Sequence, residues 1–387
     1  MIDPLALDRE CSDEIFNEQN STTPRSTKMD AGNTEDESNE KSTSTCWTDD
    51  EFESFLRKEL QKDPLSKEYP DLFAAAPKLI CKWRQRYRGN PSLWKRLFQK
   101  DRVMKEFIEA SPIIDSVQRL VISTELKKGE KFTIIDLACG RGYLSMLLSE
   151  LLPPEKVDKF VLVDKQWPMH KTTPEPHHIS WTHIYGPFLE NNENSEEDND
   201  QSTIPCYYET WPIRLNTSKV NLKSSKEIKN MERRLFTDKG PIILVAIHLC
   251  GTLSLKAVDL FNNNPEIRFF CLKPCCLPGM IHAKRDEIFH LGEHSFDSKL
   301  VCVAGKWKKN VWKGPHRTTT KAYFQRWADN LFLGMNDTEA SKIKKTIMVQ
   351  HDGGHQNDFL FAERLPETAP VWDVLRREEQ FLDGEED

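Results

Sequence analysis

No run of about 18 apolar residues occurs anywhere in the 387-residue chain, so no segment is able to cross a bilayer as a helix. The opening, MIDPLALDRECSDEIF, lacks the basic cluster and apolar region of a secretory signal, and its acids are foreign to transit peptides. A cytosolic or nuclear location is the expectation that follows. Histidine is absent from residues 1–80, and cysteine occurs there only as Cys11 and Cys46, which leaves no amino-terminal zinc module. The ten cysteines form no dense framework of the kind that staples small secreted domains, so they read as reduced thiols. Hydrophobic residues make up 38% of the chain, adequate for a core but low for a chain folded throughout. The stretch STTPRSTKMDAGNTEDESNEKSTST has almost nothing to bury, and residues 1–46 are expected to be a disordered acidic tail.

The formal net charge of -7 hides an asymmetry. Residues 1–50 hold 13 acids and 4 bases, LENNENSEEDNDQ at 189–201 holds 6 acids and no base, and residues 371–387 hold 7 acids and 2 bases. Without these three stretches, 35 acids face 48 bases. A basic body with acidic tails and an acidic loop at 189–203 suits a polyanionic partner, and RNA is the expectation. Two stretches concentrate the positive charge. KWRQRYRGNPSLWKRLFQKDRVMK, 82–105, carries nine Lys or Arg interleaved with Trp83, Tyr87, Trp94 and Phe98. GKWKKNVWKGPHRTTTKAYFQR, 305–326, reads as a loop with no acid and with Trp307 and Trp312. Bases neutralise phosphates and flat rings stack on exposed nucleobases. Aromatics at helical spacing in the first stretch serve equally as core, with basic stems on the wet face.

From residue 131 short apolar runs alternate with helix-like stretches, the pattern of a parallel sheet covered on both faces. Strands are expected at 132–138, 159–165, about 211–216, 242–249 and 268–274. KTIMVQ, 345–350, and DFLFAERL, 358–365, read as a closing hairpin. Residues 47–126 look helical and separate, and 371–387 form an acidic tail. The domain then spans 127–370, with a substrate-side insertion at 275–345.

FTIIDLACGRGYLS, 132–145, sets a glycine turn after the first strand, where open parallel sheets bind cofactors. For a dinucleotide the pattern G-x-G-x-x-G would place Gly140 and Gly142 first, but Ser145 stands where the third small residue belongs. Asp136, Ala138, Gly140 and Gly142 resemble instead the Asp/Glu-x-Gly-x-Gly-x-Gly turn of S-adenosylmethionine-dependent methyltransferases, with alanine for the first glycine. An alanine there is tolerable if the residue need not adopt positive φ. FVLVDK then ends in Asp164, suited to accept hydrogen bonds from both hydroxyls of a ribose. The resemblance implies an α/β fold with a seven-stranded Rossmann-like class I methyltransferase sheet, an antiparallel terminal hairpin and a preceding helical segment. It also implies S-adenosyl-L-methionine as cofactor, held by Asp136, Ala138, Cys139, Gly140, Gly142, Asp164, Lys165, Asn216 and His248, with the Asp136 carboxylate near the charged amine.

The fourth strand, IILVAIHLCG, and the fifth, FFCLKPCCLPG, narrow the likeness. Together with DLACGRG and VLVDKQWPMHK they resemble the eukaryotic tRNA 2′-O-methyltransferases that act on the acceptor stem, over roughly residues 130–280. WPIRLNTSKVNL, 211–222, matches more weakly. That family's amino-terminal Cys and His zinc modules are missing, its Cys-Cys-His-His run is Cys275, Cys276, Leu277, Pro278, and the acid of its third-strand region is replaced by Asn216, Thr217 or Ser218. A tRNA ribose 2′-hydroxyl is the implied acceptor. A non-catalytic or protein-directed factor associated with ribosomes or RNA stays open beside it.

Methyl transfer needs an in-line nucleophile and a way to remove its proton. His248, at the end of the fourth strand, is the candidate base or orienting group. Lys273 is a candidate for lowering the pKa of a ribose hydroxyl or binding phosphate, and Cys275, after Pro274, for a thiolate nucleophile if Lys273 lowers its pKa. Cys139, Cys250, Cys275 and Cys276 all fall at strand ends and can converge near His248, but none has C-x₂-C spacing, and no metal is assigned.

Overall fold

The computed structural model describes residues 47–169, 175, 177–186, 207–236, 240–303, 306–308, 311–313, 317–336, 340–349 and 356–364. The expected acidic tails and the acidic loop at 189–203 lie outside these residues. Among the described residues no helix is long and apolar enough to cross a membrane.

Seven strands form the central sheet: β1 (Phe132–Leu137), β2 (Val157–Asp164), β3 (Arg214–Lys219), β4 (Ile242–Cys250), β5 (Ile267–Cys276), β10 (Ser341–Thr346) and β11 (Asp358–Glu363), with order β10-β11-β5-β4-β1-β2-β3. The pairs β1/β2, β2/β3, β1/β4 and β4/β5 are parallel, whereas β11 runs antiparallel to both β5 and β10. The expected terminal hairpin is therefore present. The chain steps outward from β1 to β3 and then returns to β4 on the other side of β1. Strand order reverses between β1 and β4, and an open sheet offers its ligand crevice there, at the carboxyl ends.

The apolar runs of β1, β2, β4, β5 and β11 are buried on both faces because successive side chains point to opposite sides. Ile134, Phe160, Leu162, Ile243, Val245, Phe269 and Phe361 join one core, and Ile135, Val161, Val163, Leu244, Ala246, Phe270 and Leu360 join the other. The first core is closed by α1 (Asp49–Leu60), α2 (Pro70–Arg86), α3 (Pro91–Phe98), α4 (Arg102–Ser123) and α5 (Tyr143–Leu151), whose buried residues belong to the same cluster. Thr48 starts this layer with a capping box to Glu51, satisfying backbone donors that the first turn leaves unpaired. The second core is closed by α6 (Ser225–Leu235), α7 (Leu253–Asn263) and α8 (Arg317–Leu333).

Several expectations need correction. Residues 47–126 are not separate: they form one face of the same three-layer body. Tyr87 Oη donates to the His183 carbonyl at 2.7 Å, Tyr143 Oη to the Leu97 carbonyl at 2.7 Å, and Arg86 pairs with Glu150 at 2.6 Å. β3 begins three residues later than expected, because the apolar Trp211 and Ile213 precede the strand in the core rather than forming it. β10 occupies 341–346 instead of 345–350. It is an edge strand with a polar sequence, and the apolar Ile347 and Val349 are buried just beyond it.

The insertion 275–345, expected on the substrate side, contributes to the core. It contains the hairpin of β6 (Ile288–Leu291) and β7 (His294–Asp297), whose Phe289, Leu291 and Phe296 pack with Trp327 of α8 into the second core. The described residues within 305–326 are not a loop: they supply β8 (Lys306–Lys308), antiparallel to β9 (Val311–Lys313), and the first turns of α8.

Candidate active site at the carboxyl edge

The turn after β1 is shaped by three left-handed residues, Ala138 at φ 50°, Gly140 at φ 56° and Gly142 at φ 83°. Glycine adopts such angles freely, whereas alanine pays about 1–2 kcal/mol. Ala138 thus does take positive φ, so the condition under which alanine would replace glycine without strain is not met. The two glycines differ in what surrounds them. A Cβ on Gly140 would meet nothing within 4 Å, so the turn opens onto free space, while one on Gly142 would collide with Leu162 Cδ2. The turn is anchored from behind: Arg141 Nη1 donates to the Arg96 carbonyl at 2.6 Å, and Gly142 N to the Cys139 carbonyl at 2.9 Å.

Asp164 ends β2 directly beside this opening. Its Oδ2 accepts from the Gly140 amide at 3.2 Å and its Oδ1 from the Gln166 amide at 2.8 Å, and the residue is half-buried. A carboxylate fixed against an open glycine turn at the sheet's switch point fits a ribose-bearing cofactor, because each oxygen keeps lone pairs for hydroxyl donors. Lys165 follows it, exposed.

Asp136 sits behind the turn rather than on its open side. It is 3% exposed, Ser145 Oγ donates to its Oδ2 at 2.8 Å, and burial pushes its carboxyl up to about 7 against the opposing pull of Ser145. Ser145, read in the sequence only as a missing glycine, is the side chain that fixes this acid. Cys139 lies partly buried under the turn, where its sulfur accepts from Trp167 Nε1 at 3.4 Å and burial drives its thiol pKa up. Asn216 is three residues short of the end of β3, with its Oδ1 accepting from Tyr208 Oη at 3.1 Å. The structure does not bring it to the edge. Its place there is taken by Lys219, the ladder partner of Asp164.

His248 stands near the end of β4, and its Nε2 lies 3.0 Å from Glu106 Oε2 of α4. Burial raises the Glu106 pKa, but the hydrogen bond and charge of His248, with Arg102 and Lys105, outweigh it and hold the carboxyl below its usual range. An ionised carboxylate only accepts, so the imidazole donates from Nε2, and in the neutral form of the ring Nδ1 is the nitrogen left to accept a proton. Nothing in the sequence linked residue 106 to residue 248. The link exists because α4 crosses the ends of β4 and β5.

One helical turn on, Glu109 faces Lys273 Nζ at 3.4 Å. Lys273 is 2% exposed, and burial lowers its pKa against the pull of Glu109. Enclosed and paired, it does not reach an acceptor hydroxyl or a phosphate, contrary to expectation. Cys275 departs from its expected role as well: hydrogen bonding to Cys250 and Cys276, with burial, pushes its thiol pKa up, the reverse of what a nucleophile needs. Cys250, Cys275 and Cys276 lie together, their sulfurs all within 4.8 Å of one another, whereas Cys139 is not among them.

The surface expected to meet RNA is divided differently from the sequence reading. Trp83, Tyr87, Trp94 and Phe98 are all buried in the first core and offer no stacking face. Arg84 and Arg88 pair with Asp49, and Lys82 and Arg86 with Glu150. A groove of about 500 Å³ that the sequence did not reveal opens between the end of β3 and α6, lined by Lys219, Val220, Glu227, Asn230, Arg233 and Arg234.

No curated protein matches this chain. Residues 104–282, from the start of α4 to just past β5, match the family model described as a methyltransferase domain, a span that includes the glycine turn, Asp164, the Glu106–His248 pair and the three clustered cysteines. The seven-stranded sheet with its antiparallel terminal pair has the class I methyltransferase fold, and the matched span lies within it.

Proposed function

We propose that the chain transfers a methyl group from S-adenosyl-L-methionine to RNA, with a tRNA ribose 2′-hydroxyl as the favoured acceptor. The observation that carries the cofactor is the Asp164 carboxylate held 3.2 Å from the Gly140 amide at an open turn. Asp164 accepts from the ribose hydroxyls, and the Cβ-free face of Gly140 lets the backbone approach the ligand. The bound cofactor supplies an electrophilic methyl group. His248 takes the acceptor's proton at Nδ1, while Glu106 fixes the ring and stabilises the imidazolium that forms. The charge arrangement supports a polyanion. Lys219, Arg233 and Arg234 line a groove beside the cofactor edge, and the strand pair and helix of 305–326 carry further Lys and Arg without an acid.

The test is incubation of the purified chain with isotopically labelled S-adenosylmethionine and either total RNA or total protein, followed by nucleoside and amino-acid mass analysis. Label in a 2′-O-methylated nucleoside, lost in His248→Ala while cofactor binding persists, is the expected result. Label in protein instead of RNA overturns the acceptor, and failure of calorimetry to detect S-adenosylmethionine binding overturns the cofactor. Asp164→Asn removes a charged hydrogen-bond acceptor worth about 1.5–3 kcal/mol and should weaken the cofactor roughly 10- to 150-fold.

A further inference from the structure

We propose that Cys250, Cys275 and Cys276 hold one thiophilic divalent metal ion, with zinc as the borderline-soft ion that suits three thiolates. The argument begins with distance. Sγ of Cys250 and Sγ of Cys275 are 3.9 Å apart, Cys275 and Cys276 sulfurs are 3.6 Å apart, and all three lie within 4.8 Å of one another. Zinc–sulfur bonds of about 2.3 Å at tetrahedral angles set sulfurs about 3.8 Å apart. A disulfide draws its two sulfurs to about 2.05 Å, far closer than any pair here, and would strand the third thiol. Thiols are weak hydrogen-bond donors and acceptors, so three of them gain little from one another. A shared cation gives the cluster a chemical purpose.

The cluster is also built, in the sense that backbone fixes it from both sides. Neighbouring residues of a regular strand face opposite ways, so Cys275 and Cys276 can share a ligand only where β5 leaves regular geometry. The β4/β5 register shifts at this end, between Ala246 and Leu249 and again between Leu249 and Cys250, and then pairs Cys250 with Cys276. Gly251 N donates to the Cys276 carbonyl at 3.0 Å, and Gln356 Nε2 donates to the Cys275 carbonyl. Gly251 itself turns at φ 56°. The site so fixed is half open, since Cys250 is exposed while Cys275 and Cys276 are partly buried. Three protein ligands leave the fourth tetrahedral position to water or another small donor, the arrangement of zinc sites that keep an exchangeable position.

The three thiols sit to one side of the Asp164 carboxylate along the strand ends. The cluster hangs from β4 and β5, whereas the open turn and Asp164 belong to β1 and β2, and the sheet order puts β5 three strands from β2. Strands are spaced about 4.8 Å apart, so even β4 and β2 are separated by about 10 Å. Binding would release the thiol protons and tie the free end of β4 to that of β5.

The test uses the full chain, purified with zinc, freed of unbound metal and assayed for metal by mass spectrometry. About one zinc per chain is expected, and replacement by cobalt(II) should produce an intense thiolate-to-metal charge-transfer band that saturates at about one cobalt per chain. Cys276→Ser and Cys250→Ser should each lose that band, while Cys302→Ser, which alters a thiol outside the cluster, should keep it. A wild-type chain shown to be folded by circular dichroism that retains no zinc and gives no cobalt–thiolate band overturns the proposal, as does a full band in Cys276→Ser. Because the readout is metal content and absorption, it stands or falls apart from methyl transfer.

Discussion

Replacing Asp136 by asparagine should make the protein progressively more stable than wild type as the pH rises. The Asp136 carboxyl is buried and titrates near 7, whereas in an unfolded chain it titrates near 3.9. Each pH unit of that interval corresponds to about 1.4 kcal/mol, so keeping the ionised form in the folded state costs about 4 kcal/mol. The contribution has a definite direction. The folded chain binds a proton that the unfolded chain has released, so this stabilisation is complete below about pH 3.9, declines across the interval and is gone above about pH 7. The substituted amide has no proton to lose, and its side-chain oxygen can still accept from Ser145 Oγ, now 2.8 Å from the carboxylate. The difference between variant and wild type should therefore grow by about 4 kcal/mol in favour of the variant from pH 4 to pH 8. Glu363, whose carboxyl burial also pushes up to about 7 despite Arg268, acts equally in both proteins and cancels. Urea titrations followed by tryptophan fluorescence at closely spaced pH values measure this difference directly. A difference that stays flat with pH would refute the reasoning, since it would mean that the acid behind the turn ionises as freely as one in water.

Three other outcomes test separate parts of the structure. Gly140→Ala should mainly reduce S-adenosylmethionine affinity, by tenfold or more in calorimetry, because its Cβ enters the open side of the turn, whereas Gly142→Ala should mainly lower the melting temperature, since strain of about 1–2 kcal/mol is joined there by the collision with Leu162. Trp83→Ala should destabilise the fold by about 3–5 kcal/mol in chemical denaturation, as a core residue does; an unchanged midpoint together with lost RNA affinity would restore this tryptophan to a binding surface. Arg233→Ala combined with Arg234→Ala should weaken single-stranded RNA binding and reduce the slope of log affinity against log salt by about 1.4, with an unaltered slope counting against the groove.

How much of this was legible in the sequence depended on how completely each residue was constrained. β1, β2, β4 and β5 are apolar runs buried on both faces, and each was placed within a few residues. β3 and β10 are mostly polar, so nearby apolar residues that pack outside the ladder drew the expected boundaries toward themselves. The turn and Asp164 stood out because left-handed backbone favours glycine and a carboxylate after the second strand is a recognisable pattern, and the structure places the two side by side. Glu106 was not, since a carboxylate on a surface-like helix announces no partner 142 positions away. The aromatics of 82–105 had two compatible readings, and only the packing of α2 and α3 against the sheet chose between them. The three thiols lack any tell-tale spacing because the register of two parallel strands, rather than local sequence, gathers them.

The crossing of α4 over two strand ends has a practical consequence for anyone who would trim this protein. Glu106 and Glu109 belong to a helix ahead of the first strand, yet they pair with His248 and Lys273 at the ends of β4 and β5. A fragment begun at residue 127 would strip one face of the sheet to solvent and leave an enclosed ammonium without its counter-ion. The smallest working piece must keep the leading helices, so insertion points, tags and expression boundaries are best set ahead of residue 47.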